Sequence, residues 1–463
     1  MTEGQRLDLL SFHAYLLRND RYQQHVMRPY PPLTPAGVAT FLAARGWLVD
    51  FFDPTLQPDE TSFEVTVSER KPRVAALFGH PSTRDTAWRL VAAARRQGAL
   101  VIAFGDDPTG VPELYLEHGV DLVVRGEPEL TVEALLERLQ AARYRFDPDS
   151  LRRIPGLSLR IGDQVVHTPD APELLDLDLL PPPVRAQAPT RGYLDRHREV
   201  HGFSQLALVT SRGFPDTPGY RRRRAALVAD EIVDLDRRFQ VDRLRFIDHV
   251  FTDDPAWHRR LAAALARRQT HIPYECFGHI QDVTPGLLDT MTETGCERIV
   301  FDVGTGSRRL LGQLDRGYGI EDVYRVGRLL RERGVGMGVL VSLGLEGETR
   351  EDIMATVEML NVLEPQVWGL TLEDPEIAAV AHEIQARGIP GMRTLRHGWP
   401  DPERPAARRL PVGFYRWALR LLAADTHLHR LRKQGTLDAT GVGMALARPF
   451  YRAMVRVYPV RAR

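Results

Sequence analysis

Residues Thr210–Arg224 read TSRGFPDTPGYRRRR. They follow an apolar run, FSQLALV (Phe203–Val209), which reads as a buried strand ended by a glycine turn. An amphipathic helix pattern begins at about Ala225 and runs to Phe239. Strand, turn and helix in this order set a loop at the carboxyl end of a strand, where barrel folds carry their chemistry. The loop ends in a basic run, Arg221 to Arg224. Guanidinium groups bind carboxylates and phosphates through paired hydrogen bonds, so the run reads either as an anion anchor or as a solvated helix start.

Upstream, residues 1 to about 150 alternate strand and helix signals, the pattern of a doubly wound parallel sheet. Strands are expected at Leu7–Phe12, in WLVDFFDP (47–54), in RVAALFGHPS (73–82), and at the starts of ALVIAFGDDPTGVPE (99–113) and VDLVVRGEPE (120–129). Ligands of such sheets sit beyond the carboxyl ends of the strands. That selects three loops: Gly79–Thr83, Gly105–Pro112 and Gly126–Glu129. Residues 150–200 read as a connector, a hairpin around Gly162 and Asp163 and then an extended Pro-rich linker. From 200 to about 390 strands and helices alternate again, with strands expected at Phe203–Val209, Arg243–Ile247, Tyr274–Gly278, Arg298–Val303, Gly336–Leu343 and Val367–Leu372. Residues 391–463 look helical and arginine-rich. The expected domains are thus 1–145, 146–200, 201–390 and 391–463.

Lys+Arg and Asp+Glu both number 61, so overall charge argues for neither nucleic acid nor an anionic membrane as partner. No apolar run reaches the roughly 20 residues of a membrane span, and the N-terminus lacks a signal-peptide core. A cytoplasmic protein is expected. The chain has two cysteines, Cys276 and Cys296, which read as reduced, semi-buried thiols.

Several of these stretches resemble the cobalamin-binding branch of the radical S-adenosylmethionine (SAM) enzymes. GDDPTGVPE resembles that family's GGxHPTxxPE, with Phe104 and Asp107 departing from it, and VVRGEPELTVEALL matches VVRGEGExTxxELL. RFIDHVFTDDPAW resembles FxDDxFTxD, LLDTMTETGCERIVFDVGTGS resembles LLxxMxxAGCxxIxxGVESGS, and VLVSLGLEGETREDIMATVEML resembles FIxGLPGETxExxxxT. TSRGFP stands where the family has TSRGCP, the opening of the CxxxCxxC motif that holds a four-iron four-sulfur cluster. The aligned positions are Phe214, Pro218 and Arg221, none of which supplies a thiolate. The glutamate that holds the SAM amino group in the family aligns with Gly304.

The resemblance implies an α/β protein with an N-terminal Rossmann-like cobalamin domain, a partial (β/α)6 barrel and a helical C-terminal region. His80, Ser82, Gly105, Thr109, Gly126, Glu127 and Glu129 are the expected cobalamin contacts. His80 is the candidate lower ligand of cobalt and His13 a weaker one; a hydrogen-bonded histidine is the plainer reading of each. Arg212, Tyr220, Arg221, Asp302, Gly304 and Thr305 are expected to meet substrate or SAM. Asp248, His249 and Glu275 are the candidate acids and bases, each with a structural alternative. Glu373 and Asp374 face the same expected barrel mouth. No protein-bound metal is expected beyond the cobalt of the corrin, and no radical chemistry from SAM. The implied activity is polar alkyl or methyl transfer, or a cyclisation or rearrangement, on a small molecule of specialised metabolism. The alternative is a non-catalytic cobalamin-binding scaffold for a partner enzyme.

Overall fold

The structure, a computed structural model, describes residues 6–20, 23–24, 29–185, 187–372, 395–396 and 418–419. The chain divides into two compact units, residues 1–241 and 242–463. The turn at Thr210–Arg224 and the helix after it therefore belong to the first unit, not to a unit starting at residue 201.

The first unit is built on strands β1 (Leu9–His13), β2 (Val49–Phe52), β3 (Val74–Phe78), β4 (Leu100–Phe104), β5 (Leu122–Val124), β6 (Leu157–Ile161) and β7 (Gln164–His167). Across the sheet they lie in the order β2-β1-β3-β4-β5-β6-β7. The first five run parallel. Such strands are covered on both faces, so successive residues must both be apolar. Leu9, Val74, Ile102 and Phe104 pack with Val38 and Phe41 of helix Leu33–Ala44 and with Leu135 and Leu139 of helix Pro128–Ala141. Their neighbours Leu10, Ala75, Val101 and Ala103 pack on the other side with Leu90, Val91 and Ala94 of helix Arg84–Arg96. Each wholly buried leucine contributes roughly 1.5–3 kcal/mol of transfer free energy.

The hairpin around Gly162 forms as expected, but it is not a free connector. β6 pairs antiparallel with β5 and extends the sheet. The Pro-rich stretch is shorter than expected, since helix Gln187–His201 follows it. Pro189 falls in its first turn, where a backbone N–H has no intrahelical acceptor to lose. After that helix come β8 (Gln205–Leu208), the short pair β9 (Ser211–Arg212) and β10 (Arg221–Arg222), and helix Ala225–Phe239. Glu231 of this helix is buried and accepts from Arg223 Nη1 at 2.7 Å, with Arg185 Nη2 at 3.7 Å. Arg185 also donates to the Ala207 carbonyl at 2.6 Å. Two arginines and one glutamate thus fasten the helix to β8.

In the second unit β11 (Arg243–Phe246), β12 (Tyr274–Gly278), β13 (Cys296–Gly304), β14 (Gly336–Leu343), β15 (Val367–Leu372) and β16 (Leu395–Arg396) lie side by side in chain order. All these pairings are parallel. Helices Pro255–Arg267, Pro285–Glu293, Ile320–Glu332 and Arg350–Leu363 connect them. Their starts are capped as the sequence demands: Asp254 accepts from the Trp257 amide, and Thr349 with Asp352 forms a capping box. The expected helical region at 391–463 lies outside the described residues, apart from 395–396 and 418–419. Glu373 and Asp374 lie outside them too.

Candidate functional site

In the first unit the three loops singled out by sequence meet at the carboxyl edge of the parallel strands. The loop after β3 is joined to the loop after β4 by Arg84, whose Nε and Nη2 donate to the Asp107 carboxylate at 3.0 and 2.5 Å. Tyr115 Oη donates to the same carboxylate at 2.5 Å. Burial, then Asp107, push the Tyr115 hydroxyl well above the usual phenol range. The loop after β4 is joined to the loop after β5 by the Gly126 amide, which donates to Thr109 Oγ1 at 3.2 Å. Arg84 and Tyr115 carried no sequence motif; only the tertiary structure brings them onto Asp107. Gly105 caps the short helix Asp106–Gly110.

His80 is exposed at this edge. Its Nδ1 accepts from the Ser82 amide at 3.3 Å and lies 2.8 Å from Ser82 Oγ. An amide donor on Nδ1 puts the ring proton on Nε2. Nε2 is then a donor, not a lone pair aimed at a metal. The strand order places the topological switch between β1 and β3, and His13 ends β1 there. Both of its nitrogens are engaged: Nε2 with Asp53 Oδ1 at 2.9 Å, Nδ1 with the Tyr15 amide at 3.2 Å. Tyr193 Oη also donates to Asp53, at 2.9 Å. Burial works to raise the Asp53 carboxyl, but the His13 and Thr55 bonds outweigh it and hold it below its ordinary value. His13 is a satisfied core histidine.

The loop between Ser211 and Arg222 closes as a ribbon, with Arg221 paired to Arg212 and Arg222 to Ser211. Gly213 makes this closure feasible. It has φ +82°, and a Cβ there would stand 2.9 Å from the Gly219 carbonyl oxygen. Phe214 and Pro218 lie exposed on the ribbon's tip. The basic run read either as an anion anchor or as a solvated helix start; the structure gives Arg212, Arg221 and Arg224 carboxylates of their own chain. Arg212 grips Glu129 with both terminal nitrogens, at 3.1 and 2.5 Å. Arg221 donates to both oxygens of Glu127, at 3.1 and 2.7 Å, and to the Leu174 carbonyl at 2.8 Å. The Leu174 amide donates back to Glu127 at 2.8 Å. Arg224 pairs with Asp178 at 2.5 Å. Glu127, in the loop after β5, and Glu129, in the first turn of helix Pro128–Ala141, both expected to contact cofactor, tie the ribbon to that end of the sheet. Burial would raise the Glu127 carboxyl; Arg221, the Leu174 amide and Arg212 together reverse that and lower it. Tyr220 is half-buried, with the Arg222 guanidinium 5.9 Å from its ring centre.

In the second unit Asp248 is buried and His249 exposed just past the end of β11. Glu275 does not stand at a carboxyl end. It is the second residue of β12, held between Arg245 Nε at 3.2 Å and Arg298 Nη1 at 2.8 Å. This ion cluster braces three neighbouring strands at their amino ends, the side of such folds associated with stability. Asp302 is exposed near the end of β13; Arg316 lies 3.4 Å from its carboxylate, and Tyr318 Oη donates to its carbonyl at 3.1 Å. Thr305 is buried, not open to a nucleoside: its Oγ1 lies 3.1 Å from Thr356 Oγ1 and accepts from the Ser307 amide. Gly304 has φ +80°, and a Cβ there would come 3.0 Å from Leu314. This backbone favours glycine and would strain the glutamate that the resembled family carries at this position. Cys276 and Cys296 are buried in β12 and β13. Burial, then the neighbouring Cys296, pushes the Cys276 thiol up, away from the thiolate a metal needs.

Residues 204–360 match the radical SAM superfamily. An uncharacterized methyltransferase of Pyrococcus horikoshii is 24% identical over 294 residues, covering 60% of this chain and 61% of its own length. The chain thus spans less than two thirds of that relative. The anaerobic magnesium-protoporphyrin IX monomethyl ester cyclase of Synechocystis sp. is 24% identical over 376 residues, with 74% of this chain and 71% of that protein covered. Among solved structures, the radical SAM methyltransferase TsrM from Kitasatospora setae, with cobalamin and a [4Fe-4S] cluster bound, superposes with a TM-score of 0.64 at 20% identity, covering 80% and 72% of the two chains. The cobalamin-dependent radical enzyme OxsB, with aqua-cobalamin and SAM bound, gives 0.63 at 16% identity, covering 77% and 52%. These structural likenesses bear out the α/β radical-SAM-type fold. No helix among the described residues is long and apolar enough to cross a membrane.

Proposed function

We propose that this protein is a cobalamin-dependent enzyme that modifies a small molecule without a four-iron four-sulfur cluster. The observation that carries the reading is the fate of residue 221. The third cluster position holds an arginine whose guanidinium is shared by Glu127 and the Leu174 carbonyl. The residues at 214, 218 and 221 do not fit an iron–sulfur cluster, and the two buried cysteines lie in strands of the other unit. No step is therefore assigned to cluster or radical chemistry.

The carboxyl edge of the first unit fits a corrin better. His80, Ser82, Gly110 and Gly126 are exposed there, small or polar, suited to a flat ligand with amide arms. Cobalamin, when bound, supplies a cobalt centre able to accept and hand on an alkyl group. The chain's own part is positioning. Arg84, Asp107 and Tyr115 fix two of the loops to each other, and Arg212 and Arg221 fix the ribbon to the third. In the second unit His249 and Asp302 are exposed, and we assign His249 to move a proton and Asp302 to accept a hydrogen bond from substrate. Polar methyl or alkyl transfer is the most concrete reaction; a cyclisation or rearrangement uses the same parts, and SAM is a candidate donor. The natural-product setting rests on the resemblance.

The second reading is a cobalamin-binding scaffold for a partner enzyme. It is favoured by the internal pairing of Glu127, Glu129, Arg212 and Arg221, which leaves fewer polar groups for substrate. The two separate in an anaerobic assay with methylcobalamin and a metabolite extract of the producing cells. A methyl-transferring enzyme converts the bound methylcobalamin spectrum to that of cob(I)alamin when its acceptor is present, and a cyclase or isomerase depletes a metabolite of the extract. A scaffold binds methylcobalamin unchanged and depletes nothing.

A further inference from the structure

At the amino ends of the parallel strands of the first unit, opposite the loops described above, lies a polar cleft of about 470 Å³. It is lined by Arg6, Arg73, Arg95, Arg143, Asp121 and Tyr144, among others. These residues come from segments far apart in sequence, before β1 and β3, at the end of helix Arg84–Arg96, and after helix Pro128–Ala141. Asp121 is the lining carboxylate and Asp8 lies just behind, so the guanidiniums outnumber the acids. Both acids are already engaged. Asp121 takes the Val101 amide at 2.8 Å and Arg95 at 2.6 Å. Asp8 takes the Leu48 amide at 3.0 Å and Tyr144 Oη at 2.5 Å. The Arg73 guanidinium lies over the Tyr144 ring, 4.4 Å from its centre, which holds it in place.

A second feature points to the same cleft. Arg143 and Tyr144 have φ of +53° and +58°, successive non-glycine residues in the left-handed region where glycine is usual after a helix. The Tyr144 amide bond to the Leu139 carbonyl, at 2.6 Å, and the Tyr144 bond to Asp8 hold this turn. Backbone strain retained in this way clusters at ligand-binding and active sites. Its effect is to set Arg143 on the rim, where no other described residue takes its guanidinium. Arginines near helix ends also serve to offset the helix dipole, but that role needs neither the strained turn nor the convergence of four chain segments.

We propose that this cleft binds a small molecule bearing two or more phosphate groups. Guanidinium forks suit phosphate oxygens, and the volume suits a diphosphate or a nucleotide rather than a single ion. The site is separate from the proposed corrin edge and does not depend on it.

The test is thermal-shift and calorimetric titration of the full chain with inorganic pyrophosphate, ATP and sodium sulfate at matched ionic strength, for the native protein, Arg143→Ala and Arg6→Ala. Saturable binding of pyrophosphate or ATP, weakened at least tenfold in both variants, is expected. Equal responses to pyrophosphate and ATP assign recognition to the phosphates alone; a stronger response to ATP adds the base. Far-ultraviolet circular dichroism and a cooperative melting transition like those of the native protein show that the variants are folded. No saturable binding, sulfate acting as well as pyrophosphate, or binding unaltered in both variants overturns the proposal.

Discussion

Arg212 donates through both terminal nitrogens to the carboxylate of Glu129, which stands in the first turn of helix Pro128–Ala141 and is almost wholly buried. The residue preceding the turn's glycine is thereby locked to the loop whose GEPE sequence resembles a cobalamin signature. Desolvating the pair opposes it, yet breaking one side leaves a charge buried without its partner.

Arg212→Ala should therefore destabilise the protein by about 2–3 kcal/mol, the lower part of the range for such pairs because Arg212 is partly exposed. The double variant Glu129→Gln with Arg212→Met should lose less than Arg212→Ala alone. Thermal melting of the three proteins checks this. Equal losses in single and double variants would mean that the pair is incidental.

The neighbouring pair gives a pH dependence. The folded-state value of the Glu127 carboxyl lies below its ordinary one. Its contribution is thus fully present above the unfolded value, near pH 4.3, and is lost as pH falls through the lowered value. The difference in melting temperature between native protein and Glu127→Gln should be constant from pH 8 to about pH 5 and shrink below that. A difference that grows on acidification would contradict the assignment.

Gly304→Glu restores the residue that the resemblance leads one to expect, and should still fail. The side chain would have to adopt φ near +80° and press on Leu314, at a cost of about 1–2 kcal/mol. Gly304→Ala should show most of the same loss in melting temperature, because the strain lies in the backbone. Tighter binding of SAM by Gly304→Glu, measured by calorimetry, would refute this account of the position.

Much of this was legible in the sequence. Apolar runs bounded by glycine located the strands of both units, and β12, β14 and β15 begin and end where the pattern said. The three loops were legible because switch-point logic needs only strand order. The pairing inside the site was not. Nothing in the spacing of Glu127, Glu129, Arg212 and Arg221 says that they meet, since residues on loops far apart in sequence are joined only by the tertiary fold. Glu275 misled for a related reason: a charged residue in a strand looks functional until Arg245 and Arg298 arrive from adjacent strands. Helix Gln187–His201 was hidden by the prolines before and within its first turn.

Glu275→Gln should accordingly lower the melting temperature while leaving cobalamin affinity within a factor of about two, since the ion cluster braces strands at their amino ends. His249→Ala should do the reverse, leaving stability nearly intact and reducing turnover. Parallel melting curves and turnover numbers decide between the two roles. A stable, inactive Glu275→Gln would reinstate it as an acid or base.

His80→Ala should leave the electron paramagnetic resonance spectrum of bound cob(II)alamin unchanged, because an amide on Nδ1 fixes the Nε2–H tautomer. Loss of nitrogen superhyperfine splitting on that substitution would show that the ring turns to ligate cobalt.

The most direct test is composition. The protein is incubated anaerobically with hydroxocobalamin, ferrous iron and sulfide, desalted, and analysed for cobalt and iron. About one cobalt per chain and iron at background are expected. Iron and sulfide at cluster stoichiometry, or cobalt at background, would contradict it.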